Sequence, residues 1–232
     1  MATEQIQPII KKFEHFRYKH GMFNVFQDAL AMWTFSLSNK FDLPAAERRE
    51  KQYLEIAKKY TADELEILAD IFADVMILLS GCARDGVFDD YLGRLYMSME
   101  LGSAKAGQFF TPYHISKFMA EIAITALPDK EVFTMNEPTC GAGGMILATA
   151  DVLWNTHKFN YADRFLAIGQ DIDLRCVYMT YLQTALAGIP AIIYHCNTLT
   201  LQTWDVFYTP AYLFQWPKFQ KALKENKNRP GE

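Results

Sequence analysis

The stretch Asn136-Glu137-Pro138-Thr139-Cys140-Gly141-Ala142-Gly143-Gly144-Met145 constrains the fold more than any other part of the chain. An apolar run, Val132-Phe133-Thr134-Met135, leads into it, and a helix-prone run from Ile146 to Trp154 leads out. The order is therefore strand, acidic residue, glycine loop, helix. Glycines let the backbone turn sharply and let a ligand approach it closely. The loop ends on a helix N-terminus, whose free N–H groups and dipole favour a negative group. A unit of this kind predicts an α/β domain with a parallel sheet.

Three ligand readings fit such a loop unequally. A dinucleotide fingerprint needs a third glycine where Ile146 stands, and a P-loop needs a Gly-Lys-Ser/Thr ending that the chain lacks. A loop for S-adenosylmethionine (SAM) places an acidic residue before the glycines, which suits a cationic ligand. The structural alternative is an ordinary strand-to-helix turn. Glu137-Pro138-x-x-Gly141-x-Gly143-Gly144 resembles the SAM-binding motif of adenine-specific DNA methyltransferases, and above all that of modification subunits of type I restriction systems. Upstream, Gly107-Gln108-Phe109-Phe110-Thr111-Pro112 resembles the second signature of that family, in the family's order. The resemblance covers residues 90 to 212.

That resemblance implies a SAM-dependent methyltransferase-like (Rossmann-like) parallel sheet with SAM as cofactor. By position, Phe110, Thr111 and Pro112 would pack over the methionine end of the cofactor. Glu137, Pro138, Gly141, Gly143 and Gly144 would form the cofactor loop. Phe165-Leu166-Ala167-Ile168-Gly169 reads as the next strand. Asp171 beyond it would accept the ribose hydroxyls, with Ile172 on the adenine. Asp173 is placed to cap the helix from Leu174 to Ala187, which Gly188-Ile189-Pro190 closes. Ala191 to His195 is a third strand, and Asn197 stands where the family bonds the adenine amine. For the Phe110 loop the alternative is that Phe109 and Phe110 are core and Thr111 caps the next helix, Ser116 to Leu127, ended by Pro128-Asp129.

The resemblance breaks after a fourth strand, Asp205-Val206-Phe207-Tyr208. The family's catalytic tetrapeptide has Asn or Asp, then Pro-Pro, then Tyr or Phe; here it reads Thr209-Pro210-Ala211-Tyr212. In such enzymes an amide or carboxylate at the first position orients the adenine amine, a matter of preorganisation. Threonine offers a shorter hydroxyl, Pro210 matches, and Tyr212 is the candidate to stack on a flipped-out base or to be plain core. Only 20 residues follow Tyr212, too few for the rest of the family's sheet. A sheet cut there needs cover from a C-terminal helix, a second copy or a partner chain. A homodimer or a partner subunit completing the sheet is the expectation.

The first hundred residues read as helical, giving two expected regions: helices over 1–100 and an incomplete methyltransferase-like domain over 101–232. Phe23, Phe26, Leu30, Trp33 and Leu37 mark one helix face after Gly21. Asp42-Leu43-Pro44 is a turn before a charged helix, Ala45 to Lys59. Thr61-Ala62-Asp63-Glu64 is a capping box, and the apolar stripe it opens is expected to stop at Gly81. Asp90 to Met97 is a short helix.

Hydrophobic residues are 50 % of the chain, which speaks for a folded core rather than disorder. No apolar run reaches a membrane span, and the polar start is no signal peptide. Cys82, Cys140, Cys176 and Cys196 form no metal-spaced pair, so reduced thiols, a cytoplasmic location and no metal are expected. Net charge is −4, and basic residues gather only in the tail, from Lys218 to Arg229. The acidic body fits a phosphate backbone poorly, so DNA binding by the chain alone should be weak. Three functions stay open: an active adenine methyltransferase, a catalytically silent SAM-binding relative, and a non-catalytic interaction module.

Overall fold

The computed structural model describes residues 2–100, 109–125 and 132–227. Five helices come first: α1 (Ala2–Phe13), α2 (Met22–Ser38), α3 (Leu43–Ala57), α4 (Ala62–Asp85) and α5 (Tyr91–Glu100). Gly21, at φ +78°, supplies the break before α2. The capping box forms in both directions: Glu64 N–H donates to Thr61 Oγ1, and Thr61 N–H to Glu64 Oε2. The stop expected at Gly81 does not occur. The helix runs on to Asp85, because one glycine inside an apolar stripe costs only about 1 kcal/mol against tertiary packing.

The second part adds α6 (Tyr113–Ala123), β1 (Phe133–Glu137), α7 (Gly144–Asp151), α8 (Tyr161–Arg164), β2 (Phe165–Asp171), α9 (Leu174–Leu186), β3 (Ala191–Asn197), β4 (Gln202–Tyr208), α10 (Pro210–Phe214) and α11 (Trp216–Lys227). The helix expected over Ser116 to Leu127 starts earlier and ends earlier; Leu127, Pro128 and Asp129 lie outside the described residues, as do Gly107 and Gln108. The result is an α/β fold with a helical N-terminal region and a four-stranded sheet in the order β1-β2-β3-β4.

Three strands are parallel, as expected: Glu137 lies beside Gly169, and Asp171 beside His195. The fourth corrects the expectation of an all-parallel sheet. β4 pairs antiparallel with β3, with Ile192 beside Tyr208 and Asn197 beside Gln202. The physical reason is the connection. Asn197 Oδ1 accepts from the N–H groups of Leu199 and Thr200, Leu201 takes φ +60°, and the chain turns straight back. A parallel return needs a crossover of about a dozen residues or more, and residues 198–201 are far too few.

Strand alternation splits the core. Phe165, Ala167, Ala191, Ile193 and Phe207 face one side, where they join Ile146, Leu147, Val177, Leu182 and the buried apolar residues of α1, α2, α4 and α5 in one continuous cluster. Leu166 and Ile192 face the other side, under Tyr212 and Phe219 of α10 and α11. The C-terminal helices therefore supply the cover that this face of the sheet requires. The helical region also holds β4 directly. Arg49, fully buried, pairs with Asp42 (2.8 Å) and Asp205 (3.2 Å), donates to Val206 O, and lies 4.1 Å over the Phe207 ring. Among the described residues no helix is long and apolar enough to cross a membrane.

Candidate cofactor site

The C-terminal ends of β1, β2 and β3 lie together, and the glycine loop spans the first two. Gly141 (φ +55°) and Gly143 (φ +97°) hold backbone that other residues adopt only under strain. Space enforces the same choice. A Cβ on Gly141 would stand 3.1 Å from the Phe110 ring, and one on Gly143 would stand 3.3 Å from the Thr180 backbone. Cys140 N–H donates to Gln170 O at 2.8 Å, tying the loop to the end of β2. Two residues of α9 take up the loop's carbonyls: Thr180 Oγ1 donates to Gly141 O at 2.8 Å, and Gln183 Nε2 to Ala142 O at 2.7 Å.

Asp171, at the end of β2, is buried. Its Oδ2 accepts from Gly141 N–H and its Oδ1 from Asp173 N–H, each at 2.9 Å. Burial pushes its pKa above the usual carboxylate range, against the opposing pull of those N–H bonds. Each oxygen keeps a further lone pair. Asp173 caps α9 through Arg175 N–H at 2.9 Å, as its position suggested. Glu137, half-buried at the end of β1, is also pushed up by burial, less the effect of a bond from the Thr139 backbone.

Between these elements and α6 lies a cavity of about 300 Å³, lined among others by Phe110, Thr111, Gly141, Gly144 and Asp171. Its volume is at the lower end of small-molecule sites. These are five of the residues singled out from the sequence. Of the others, Pro112 precedes the first turn of α6 and Ile172 is exposed beside the site. Gly143 packs against Thr180, and Glu137 and Pro138 lie at the root of the loop. Asn197 ends β3, where its Oδ1 is taken up by two N–H groups of the turn that follows. Phe110 is partly buried, its ring 5.1 Å from that of Tyr96, whereas Phe109 is exposed.

The tetrapeptide is elsewhere. Because β4 runs antiparallel, Thr209 emerges at the N-terminal end of β3, and its N–H donates to Ala191 O. In register the glycine loop, tied to Gln170 and Asp171, stands level with Tyr194 and His195, three to four residues along β3 from Ala191, about 10–13 Å at strand rise, and β3 lies between it and β4. Thr209 is fully buried. Its Oγ1 accepts from Ala191 N–H (2.8 Å) and donates to Ile189 O (2.9 Å). Pro210 opens α10, where its missing N–H is no loss. Tyr212 is fully buried, stacked between Tyr208 and Phe219, and its hydroxyl accepts from Gln220 Nε2.

Four residues of the site escaped the sequence: Thr180 and Gln183, which fasten the loop, and Asp90 and Ser116, which line the cavity. Helical spacing reads α9 as one more buried helix, and nothing local marks which of its polar residues meets the loop.

The family model for N-6 DNA methylase matches residues 86–231. No curated protein matches the chain. Among solved structures, the methyltransferase subunit of a type I restriction-modification system from Streptococcus thermophilus is similar at 15% identity and a TM-score of 0.41, over 82% of this chain. The chain spans 57% of that subunit's length.

Proposed function

Since the chain belongs to the N-6 DNA methylase family, we propose that it binds SAM at the glycine loop and is catalytically silent on its own. One observation carries this reading. The loop, Asp171 and the Phe110–Thr111 segment surround one cavity, while Thr209 and Tyr212 are buried toward the other end of the sheet, with the half-buried Pro210 between them. A residue that orients the target amine must lie within hydrogen-bond reach of the methyl acceptor.

The residues present fit the cofactor. Acidic groups pushed up by burial suit a cation, Asp171 has lone pairs for ribose hydroxyls, and the glycines leave room for close approach. When bound, SAM supplies the methyl group; the chain's own part is to hold the nucleoside and keep the loop rigid through Thr180 and Gln183. In Asp171→Ala the affinity for SAM should fall by about 1.5–3 kcal/mol, the usual size of a hydrogen bond to a charged group. Isothermal titration of both proteins measures it, and equal affinities would remove Asp171 from the site.

The same reading keeps DNA as a weak partner of the chain alone, in the cytoplasm, and treats residues 1–100 and 101–232 as helical and methyltransferase-like regions. Lys218 pairs with Asp163 at 2.9 Å, so it is committed within the fold; Lys221 and Lys224 are exposed on α11. A second copy of the chain is the proposed partner. Supporting it, Ile115, Phe118, Met119 and Ile122 form an exposed apolar stripe on α6 at helical spacing. The alternative, an active methyltransferase that needs a partner subunit, predicts methyl transfer only once that subunit is added.

A further inference from the structure

The cavity holds two polar side chains that neither the glycine loop nor Asp171 explains. Asp90 precedes α5 and is 4 % exposed. Its Oδ1 accepts both from Gly93 N–H (2.9 Å), as an N-cap, and from Gln183 Nε2 (2.7 Å). Its Oδ2 is turned toward Gly144, at the start of α7. Capping a helix needs one oxygen, and a serine or asparagine serves as well. Here a whole carboxylate is buried, and its pKa is driven up by that burial. The nearby Arg94 guanidinium is given to Asp89. Ser116, on α6, is 1 % exposed, lines the same cavity, and its Oγ has no hydrogen-bond partner among the described residues. A Cβ on Gly144 would stand 3.5 Å from Asp90 Oδ2 and 3.6 Å from Ser116 Oγ. The glycine thus leaves open the space that both oxygens border, directly at the N–H groups of a helix start.

An acceptor with charge, a free hydroxyl and open helix N–H groups together match a zwitterion: ammonium on the first, carboxylate on the other two. We propose that Asp90 and Ser116 form the receptor for the amino-acid end of the nucleoside ligand, Asp90 Oδ2 taking the α-ammonium and Ser116 Oγ donating to the α-carboxylate. This rests on the cofactor reading above and assigns these two residues within it. Gln183 then has a double role, since one amide holds Asp90 and the loop carbonyl of Ala142 in register.

The test uses two probes that differ only in that end: S-adenosylhomocysteine, and 5′-methylthioadenosine, which lacks the amino-acid group. Isothermal titration of the wild type should show the first binding at least about tenfold more tightly than the second, the size of one charge-assisted hydrogen bond. Asp90→Asn keeps an oxygen for Gly93 and Gln183, and should narrow the gap between the two affinities while 5′-methylthioadenosine binds as before. Ser116→Ala should weaken S-adenosylhomocysteine alone, and the unliganded melting temperature should stay level or rise, because an unpaired buried hydroxyl is removed. Equal affinities in the wild type would overturn the proposal while leaving the cofactor reading intact. So would variants that weaken both probes alike. Failure of both probes to bind the wild type would remove the cofactor reading and this inference with it.

Discussion

Thr209 stands where the family's catalytic side chain is expected, yet its hydroxyl bonds only to backbone at and just before the start of β3. Its hydroxyl serves Ala191 N–H and Ile189 O, both buried, where no water can replace it. Thr209→Val keeps the shape and removes those bonds, so it should cost about 1–3 kcal/mol of stability. Affinity for S-adenosylhomocysteine should be unchanged. Thermal denaturation and titration on the same preparation check both; a loss of affinity at unchanged stability would bring Thr209 back to the ligand site. Asparagine there would need extra volume in a packed position, so it offers no simple route to activity.

At the scale of elements, the capping box before α4 has a pH signature. Glu64 is held down to about 2, first by the Lys19 ammonium and then by the Thr61 N–H. A carboxylate whose folded pKa is depressed adds stability above its unfolded pKa, and that stability is lost as pH falls through the folded value. Glu64→Gln should therefore flatten the stability loss between pH 4.5 and about 2, read from melts across acid buffers. A parallel acid limb in wild type and variant would refute the assignment. Local chemistry of this kind was legible in the sequence: the Thr61–Glu64 box, the Asp173 cap and the Gly21 break depend on near neighbours, and the three parallel strands on the repeated strand–loop–helix pattern. The direction of β4 was legible too, since the connection after Asn197 is too short to cross over, but strand pattern alone carries no direction. Gly81 misled because propensity is outweighed by the packing of α4. The bonds from Thr180 and Gln183 to the loop, and the convergence of Asp90 with Ser116, arise only when segments far apart in sequence pack together.

At the scale of the molecule, one core runs from the first helices into the sheet, and Arg49 fastens α3 to β4. Breaking such a buried pair costs about 3–5 kcal/mol, so the helical region fixes where β4, and Thr209 after it, can lie. Outward, α6 carries four exposed apolar side chains, Ile115, Phe118, Met119 and Ile122, more than any other helix among the described residues. Phe118→Glu with Ile122→Glu should convert a dimer to monomer in light scattering at micromolar concentration while leaving the melting temperature near that of the wild type, since both side chains are more than half exposed. A monomer in both proteins would dismiss the second copy as partner.

The central claim is that ligand binding and the tetrapeptide occupy opposite ends of one sheet. The most direct measurement gives one purified sample two readings: calorimetric titration with SAM, and transfer of a tritiated methyl group to mixed-sequence adenine-containing duplex DNA. The account predicts saturable heat and no transferred label, in wild type and Tyr212→Phe alike, because Tyr212 is buried in the core on the sheet's other face. Label transferred by the wild type and lost in the variant would contradict it.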